Sequence, residues 1–378
     1  MRPLFVVVTA LLGCGPAAAL DPVADFGADP GDLLMFEHVP AGVVGPMPVV
    51  LVLHGCSQDR GYADDAGLVA FADELGFGLV VAEQRGANNS QRCFNWFETG
   101  DIEAQQGEAG SLASMIQSFK GRHDVDDDRV FVTGLSSGGA MTAVLLVVEP
   151  GIFAAGASFA GLPYRCGTGL VDAFSCMNTA QTRTQAAWTA LVTDNVDVVA
   201  TWPRLLIVQG DADGTVNSKN SENLALQFSG LHGLPAAPTS SFSGDGRTTS
   251  LWQRGGETLV SRVVVDDMGH GLPIDPPACG TQRSFLLDEN FCGTLAALQF
   301  FGIAEGEGEG EGEGEPAGEG EKEPVGEGEG EPAAEGEGED VVDEGGCGGC
   351  SSSSSAAGLL SLVLLLQRRR KRVISSVT

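Results

Sequence analysis

Five short runs along the chain are dominated by apolar, mostly β-branched residues: 48–54 (PVVLVLH), 78–82 (GLVVA), 129–133 (RVFVT), 204–209 (RLLIVQ) and 260–265 (VSRVVV). Most are too continuous for the alternation of a half-exposed strand. They suit strands covered on both faces, as in a parallel sheet. Stretches of helical character separate them, such as 108–122 and 139–148, so the chain reads as repeated βα units. The predicted fold class is α/β: a mainly parallel, doubly wound sheet with helices on both faces, in a single domain. Between residues 164 and 202 no strand pattern occurs. That stretch is expected to pack as helices and loops over the sheet edge, where it can shape a pocket.

Doubly wound sheets place reactive groups at the carboxyl ends of their strands. After residues 129–133 stands Gly134-Leu135-Ser136-Ser137-Gly138, then Gly139. This fits a nucleophile elbow, a sharp strand-to-helix turn that lifts one serine hydroxyl above the sheet of an α/β-hydrolase. Glycines are needed because side chains would clash in such a turn. The N-terminus of the helix that follows favours developing negative charge. Ser136 is therefore the candidate nucleophile; the bland alternative is a Gly-rich turn without catalysis.

A serine nucleophile needs a base, and the base needs an orienting carboxylate. The α/β-hydrolase chain order is Ser, Asp, His. Of the five histidines, His270 falls where that order requires one, in Met268-Gly269-His270-Gly271 after the fifth run. His54 follows a strand but precedes the serine. His232 reads as part of a polar loop with no strand after it, and His38 and His123 read as exposed. The acid belongs to Gly210-Asp211-Ala212-Asp213 after the fourth run, where spacing leaves both Asp211 and Asp213 open. Asp266 and Asp267 adjoin the histidine on its own strand end and are poorer candidates. Oxyanion donors are expected from the backbone N–H of Ser137 and from the loop His54-Gly55-Cys56 after an early strand.

The two ends of the chain differ from this body. Residues 1–19 read as a secretion signal: Arg2 is the lone charge, 4–12 are apolar, and Ala17-Ala18-Ala19 offers a cleavage site. Leu11-Leu12-Gly13-Cys14 also resembles a lipoprotein box, which would leave Cys14 lipidated. Residues 305–346 are mostly Glu and Gly, with 18 acidic residues against Lys322 alone. Such a composition is expected to form a disordered, self-repelling linker. Roughly 280 residues, 20–304, remain for one large domain. Residues 347–378 hold Cys347 and Cys350, a run of five serines at 351–355, an apolar stretch 356–366 and Arg368-Arg369-Arg370-Lys371-Arg372. Those 11 residues would span about 16 Å as a helix, short of a bilayer core of about 30 Å. The segment reads as a sorting signal or weak anchor, and the linker as a spacer. The expected location is outside the cell or on the surface of a bacterium, with the membrane or cell surface engaged only through this tail.

Export makes the cysteines informative. The body carries Cys56, Cys93, Cys166, Cys176, Cys279 and Cys292, an even number that in an oxidising compartment implies three disulfides. Proximity suggests Cys166–Cys176 and Cys279–Cys292. No Cys-x-x-Cys occurs among them, so no metal site is expected. The formal net charge of −30 argues against nucleic acid or anionic lipid as a ligand of the body.

Several separated motifs then agree in order. Leu53-His54-Gly55-Cys56, Cys93-Phe94-Asn95-Trp96-Phe97, Gly134-Leu135-Ser136-Ser137-Gly138-Gly139-Ala140-Met141, Ala160-Gly161-Leu162-Pro163-Tyr164 and Gly269-His270 are similar to the extracellular poly(3-hydroxybutyrate) depolymerase family, with its related feruloyl and acetylxylan esterases. The resemblance spans residues 48–272. It implies a cofactor-free Ser-His-Asp esterase of the α/β-hydrolase fold acting on ester substrates. The family's Gly-x-x-Asp-x-x-Val pattern matches Gly210, Asp213 and Val216, and so prefers Asp213 to Asp211. It maps the oxyanion loop to Cys56, implies a Cys56–Cys93 bridge, and makes Trp96 a wall of the acyl pocket, against the alternative of a core aromatic. Two departures stand out. Phe94 replaces a usual tryptophan, and Gly269-His270-Gly271-Leu272-Pro273 stands for the usual Gly-His-Ala-Trp-Pro.

The leading expectation is an esterase that works through an acyl-enzyme. Its competitors are an acyltransferase or peptidase on the same triad, and a binding module that has kept the scaffold. No substrate-binding domain follows the linker in this sequence, so soluble esters are expected to be better substrates than solid polymer. The oligomeric state is not legible.

Overall fold

A computed structural model describes residues 20–305. The expected leader, most of the linker and the tail lie outside the described residues. Within them run β1 (Asp21–Val23), β2 (Leu34–His38), β3 (Met47–Leu53), α1 (Tyr62–Asp65), α2 (Leu68–Leu75), β4 (Gly78–Glu83), α3 (Gly107–Arg122), β5 (Val125–Leu135), α4 (Ser137–Val148), β6 (Ala155–Phe159), α5 (Leu170–Thr179), α6 (Gln185–Thr193), β7 (Arg204–Gly210), α7 (Lys219–Leu231), β8 (Ser240–Gly244), β9 (Arg247–Arg254), β10 (Glu257–Val265), β11 (Leu272–Ile274), β12 (Leu286–Asp288) and α8 (Gly293–Phe301).

Ten strands form one sheet in the order β1-β2-β4-β3-β5-β6-β7-β10-β9-β8. From β4 to β10 all neighbours are parallel; β2 and β9 run antiparallel to that block. The five apolar runs fall on β3, β4, β5, β7 and β10, all in the parallel block. Strand β3 shows why they are apolar throughout: Val49, Leu51 and Leu53 enter one core, Val50 and Val52 the other. The first core packs α3, α4, α6 and α7 against the sheet, and the second packs α1, α2 and α8.

Strand β6 carries no signal of its own in the sequence AGASF. Its small residues answer to α4: a Cβ on Gly156 would come within 2.8 Å of Leu146 and 3.0 Å of Thr142. The helix lies so close that bulky β-formers do not fit. At the other edge, Asp245-Gly246 and Gly255-Gly256 all have positive φ and close the tight turns between β8, β9 and β10.

Residues 164–202 contain α5 and α6 and no strand. The Gly169 N–H before α5 donates to Phe97 O at 2.7 Å, and Asn217 N–H donates to Met177 O near its far end at 2.8 Å. Helix α5 thus bridges the loop after Cys93 and the loop after β7, and it exposes Leu170, Val171 and Phe174. Three histidine readings need correction. His232 caps α7 and is buried, 3.2 Å from Pro203 O, and Arg254 at the end of β9 donates to its backbone carbonyl. His38 is buried on β2 beside Asp73 at 2.8 Å, and His123 is half-buried against Phe119.

Candidate active site

Three strand ends converge. Strand β5 runs directly into Ser136, whose backbone stands at φ 57°, ψ −114°. L-residues hold such a positive φ only when the surroundings impose it. Here the Ser136 N–H donates to Phe159 O at 2.8 Å. Crowding does the rest: a Cβ on Gly138 would lie 2.3 Å from Leu53 O.

The loop after β7 brings up Asp213, and the loop after β10 brings up His270. Ser136 Oγ lies 3.0 Å from His270 Nε2, and His270 Nδ1 lies 2.7 Å from Asp213 Oδ2. An ionised carboxylate only accepts, so Nδ1 carries the proton and the Nε2 lone pair faces the serine hydroxyl. Asp213 Oδ1 accepts the N–H groups of Thr215 and Val216 at 2.8 and 2.9 Å, and Oδ2 also accepts from Gln209 Nε2 at 2.8 Å. Burial pushes the Asp213 carboxyl up, but the His270 ring and the backbone N–H groups outweigh it and hold it below its ordinary value. The group is therefore ionised at neutral pH. Asp211 has a different place. Exposed, it accepts the Asp267 N–H at 2.7 Å and ties the acid-bearing loop to the histidine-bearing loop.

The loop after β3 passes beside Ser136: a Cβ on Gly55 would stand 3.5 Å from Ser136 Cβ. Cys56 is next in this loop, and Ser137, directly after Ser136, opens α4. Three contacts fix the loop. Gly55 N–H donates to Gln58 Oε1 at 2.8 Å, Ser57 N–H donates to Gln91 O at 2.6 Å, and Cys56 is bonded to Cys93. The other cysteines are paired Cys166–Cys176 and Cys279–Cys292.

Beneath the loop lies a buried polar network. Gln84 N–H donates to His54 Nε2 at 3.0 Å, which leaves Nδ1 protonated and donating to Gly55 O at 2.7 Å. Burial, the dominant influence, lowers the affinity of His54 for a second proton. Gln84 Nε2 donates to Glu108 Oε1, and Asn95 N–H donates to Glu108 Oε2 at 2.7 Å. Burial pushes the Glu108 carboxyl up to about 8, against the pull of these N–H groups. An acid raised on folding binds more protons in the native state, so its contribution is complete below the ordinary glutamate value of 4.5 and is lost as pH rises towards 8. Thermal melts across pH 5 to 9 should therefore show a decline in wild type that Glu108→Gln flattens. Parallel slopes would contradict this.

Trp96 is only 6% exposed and packs in the core, edge-on to Phe97. The indole offers little surface to a ligand, and the core-aromatic alternative describes it better. Leu272, where the family has tryptophan, is buried on β11. Sequence reading missed Gln209, Gln84 and Glu108. The first two have a visible signal, a lone amide ending or directly following an apolar strand. It also missed Phe285, whose ring centroid lies 5.8 Å from that of His270.

The sheet order and the placement of Ser136 on the turn after β5 are those of an α/β-hydrolase. Among solved structures, an acetyl xylan esterase from Aspergillus awamori superposes with a TM-score of 0.65 at 21% identity, over 76% of this chain and 100% of that one. The family model described as "Esterase PHB depolymerase" matches residues 35–250. A poly(3-hydroxyalkanoate) depolymerase C from Paucimonas lemoignei is 39% identical over 291 residues, 75% of this chain and 70% of the relative. A feruloyl esterase B from Talaromyces funiculosus is 29% identical over 66% of this chain and 70% of its own. The chain belongs to the PHB depolymerase esterase family, a family of carboxylic ester hydrolases.

Proposed function

We propose that this protein is an exported serine esterase that cleaves hydroxyalkanoate-type carboxylic esters through an acyl-enzyme. The observation that carries the reading is the continuous hydrogen-bonded line Ser136–His270–Asp213 at the carboxyl ends of parallel strands. In this reading Ser136 Oγ attacks the ester carbonyl carbon as His270 Nε2 takes its proton. The N–H groups of Ser137 and Cys56 receive the oxyanion. The tetrahedral intermediate collapses as imidazolium protonates the departing alkoxide. Water then repeats the sequence on the acyl-serine and releases the acid. Asp213 holds the tautomer and stabilises the imidazolium. No step calls for a metal or cofactor.

Two observations favour a hydroxyalkanoate over a feruloyl or acetyl ester. The similarity to the polyester depolymerase is the higher of the two relatives, and α5, which bridges the two site loops, exposes the apolar Leu170, Val171 and Phe174. Three disulfides fit an oxidising compartment, as export through residues 1–19 requires. Among the described residues no helix is long and apolar enough to cross a membrane.

Product analysis on soluble 3-hydroxybutyrate oligomers, methyl ferulate and acetylated xylan tests the substrate class. Release of hydroxybutyrate at a kcat/KM at least about tenfold above the other two is expected. Preferential release of ferulate or acetate would replace the polyester reading by the corresponding one.

A further inference from the structure

Phe285 is an aromatic side chain left 39% exposed beside the half-buried His270. Its ring meets the His270 imidazole edge-on, with an interplanar angle of 74°. Its backbone has φ 67°, a region a bulky residue enters only under constraint.

The constraint is visible. Phe285 O accepts the Leu272 N–H at 2.9 Å, two residues beyond His270. A Cβ on Gly271 would stand 2.8 Å from the same carbonyl oxygen, so only glycine lets the two chains approach. Directly afterwards β12 pairs with β11 through Leu272↔Leu286, and Cys279–Cys292 closes the segment. Three devices thus hold the Phe285 backbone against the histidine loop, while the ring itself faces outwards.

The side of the site follows from the chemistry. His270 must deliver its proton to the oxygen of the departing alcohol, so that half of the ester sits against the imidazole. The acyl half hangs from Ser136 beside the Gly55–Cys56 loop. We propose that Phe285 is the specificity-determining residue for the alcohol half of the ester, taking an apolar alcohol group against its exposed face. This rests on the serine-esterase reading above. For a hydroxyalkanoate chain, the group it meets is the next ester unit beyond the scissile bond.

Matched esters of one acid test the assignment. In Phe285→Ala, kcat/KM for benzyl butyrate should fall about tenfold, chiefly through KM, while that for methyl butyrate changes less than about twofold. Phe285→Tyr should restore most of the difference. The preference among ethyl acetate, butyrate and hexanoate should not move. An equal loss on benzyl and methyl butyrate, or an altered acyl-chain preference with the benzyl-to-methyl ratio intact, would overturn the proposal. A binding comparison makes the test independent of turnover. Calorimetry should show benzyl butyrate bound about tenfold more weakly by the Ser136→Ala, Phe285→Ala double variant than by Ser136→Ala alone. Equal affinities would again overturn it. Ester hydrolysis persisting in Ser136→Ala would count against the triad reading, and the benzyl-to-methyl ratio of Phe285→Ala would still decide the role of Phe285.

Discussion

Ser136→Ala should lower ester hydrolysis by at least about 10⁴-fold while leaving the fold in place. The rate falls because the nucleophilic oxygen is gone. His270 can then activate only water, and in a site shaped for an attached acyl group. The fold should survive because the change is small: alanine keeps the Cβ and the backbone already forced to φ 57°. The side-chain bond lost is that of Oγ to His270, worth about 1 kcal/mol. The comparison is kcat on p-nitrophenyl acetate for enzyme and variant, with circular dichroism melts of both. A folded variant that retains near wild-type activity would move the nucleophile away from Ser136, and with it the proposed mechanism. A variant that lost activity by unfolding would instead show a lowered melting temperature.

Much of the scaffold is legible in the sequence because burial on both faces leaves a plain mark. Residues 48–54 and 129–133 are apolar in register with two cores, and both turn out to be central strands. Ser136 is legible because the elbow demands glycines at fixed offsets. Gly134 and Gly138 are so close that a Cβ on the first would come within 2.5 Å of the second. Strand β6 is not legible because α4 dictates small residues there, and small residues look the same in a loop. His232 and His38 mislead for a related reason. Their burial depends on elements far away in sequence, which local polarity does not report. From spacing alone the choice between Asp211 and Asp213 is of this kind too, although the pattern of Gly210, Asp213 and Val216 favours Asp213. Both follow the same strand end, and only the path of the loop decides which carboxylate turns inwards and which ties down the Asp267 N–H. Phe285 lies outside the stretch matched by the family model, and its nearness to His270 depends on the pairing of β11 with β12.

The two aspartates should therefore separate sharply under one conservative change. Asp213→Asn should lower kcat by about 10⁴-fold, the scale on which losing the orienting acid acts in such triads. The amide keeps the size of the carboxylate but not its charge, so the imidazolium formed during attack has no counter-ion. It can also turn a donor towards Nδ1 and stabilise the wrong tautomer, with the proton on Nε2 where Ser136 needs a base. Both Asp213 oxygens now accept, from Thr215, Val216, Gln209 and His270. An amide nitrogen in either position would face at least one donor, so some loss of stability should accompany the rate effect. Asp211→Asn, by contrast, retains an oxygen to accept the Asp267 N–H at an exposed site. Its kcat should fall less than about tenfold, through slackening of the histidine loop alone. Measuring kcat for both variants on one soluble ester, alongside their melting temperatures, sets rate against fold. The reverse ranking would give the acid role to Asp211 and require the loop after β7 to bind His270 in a different conformation.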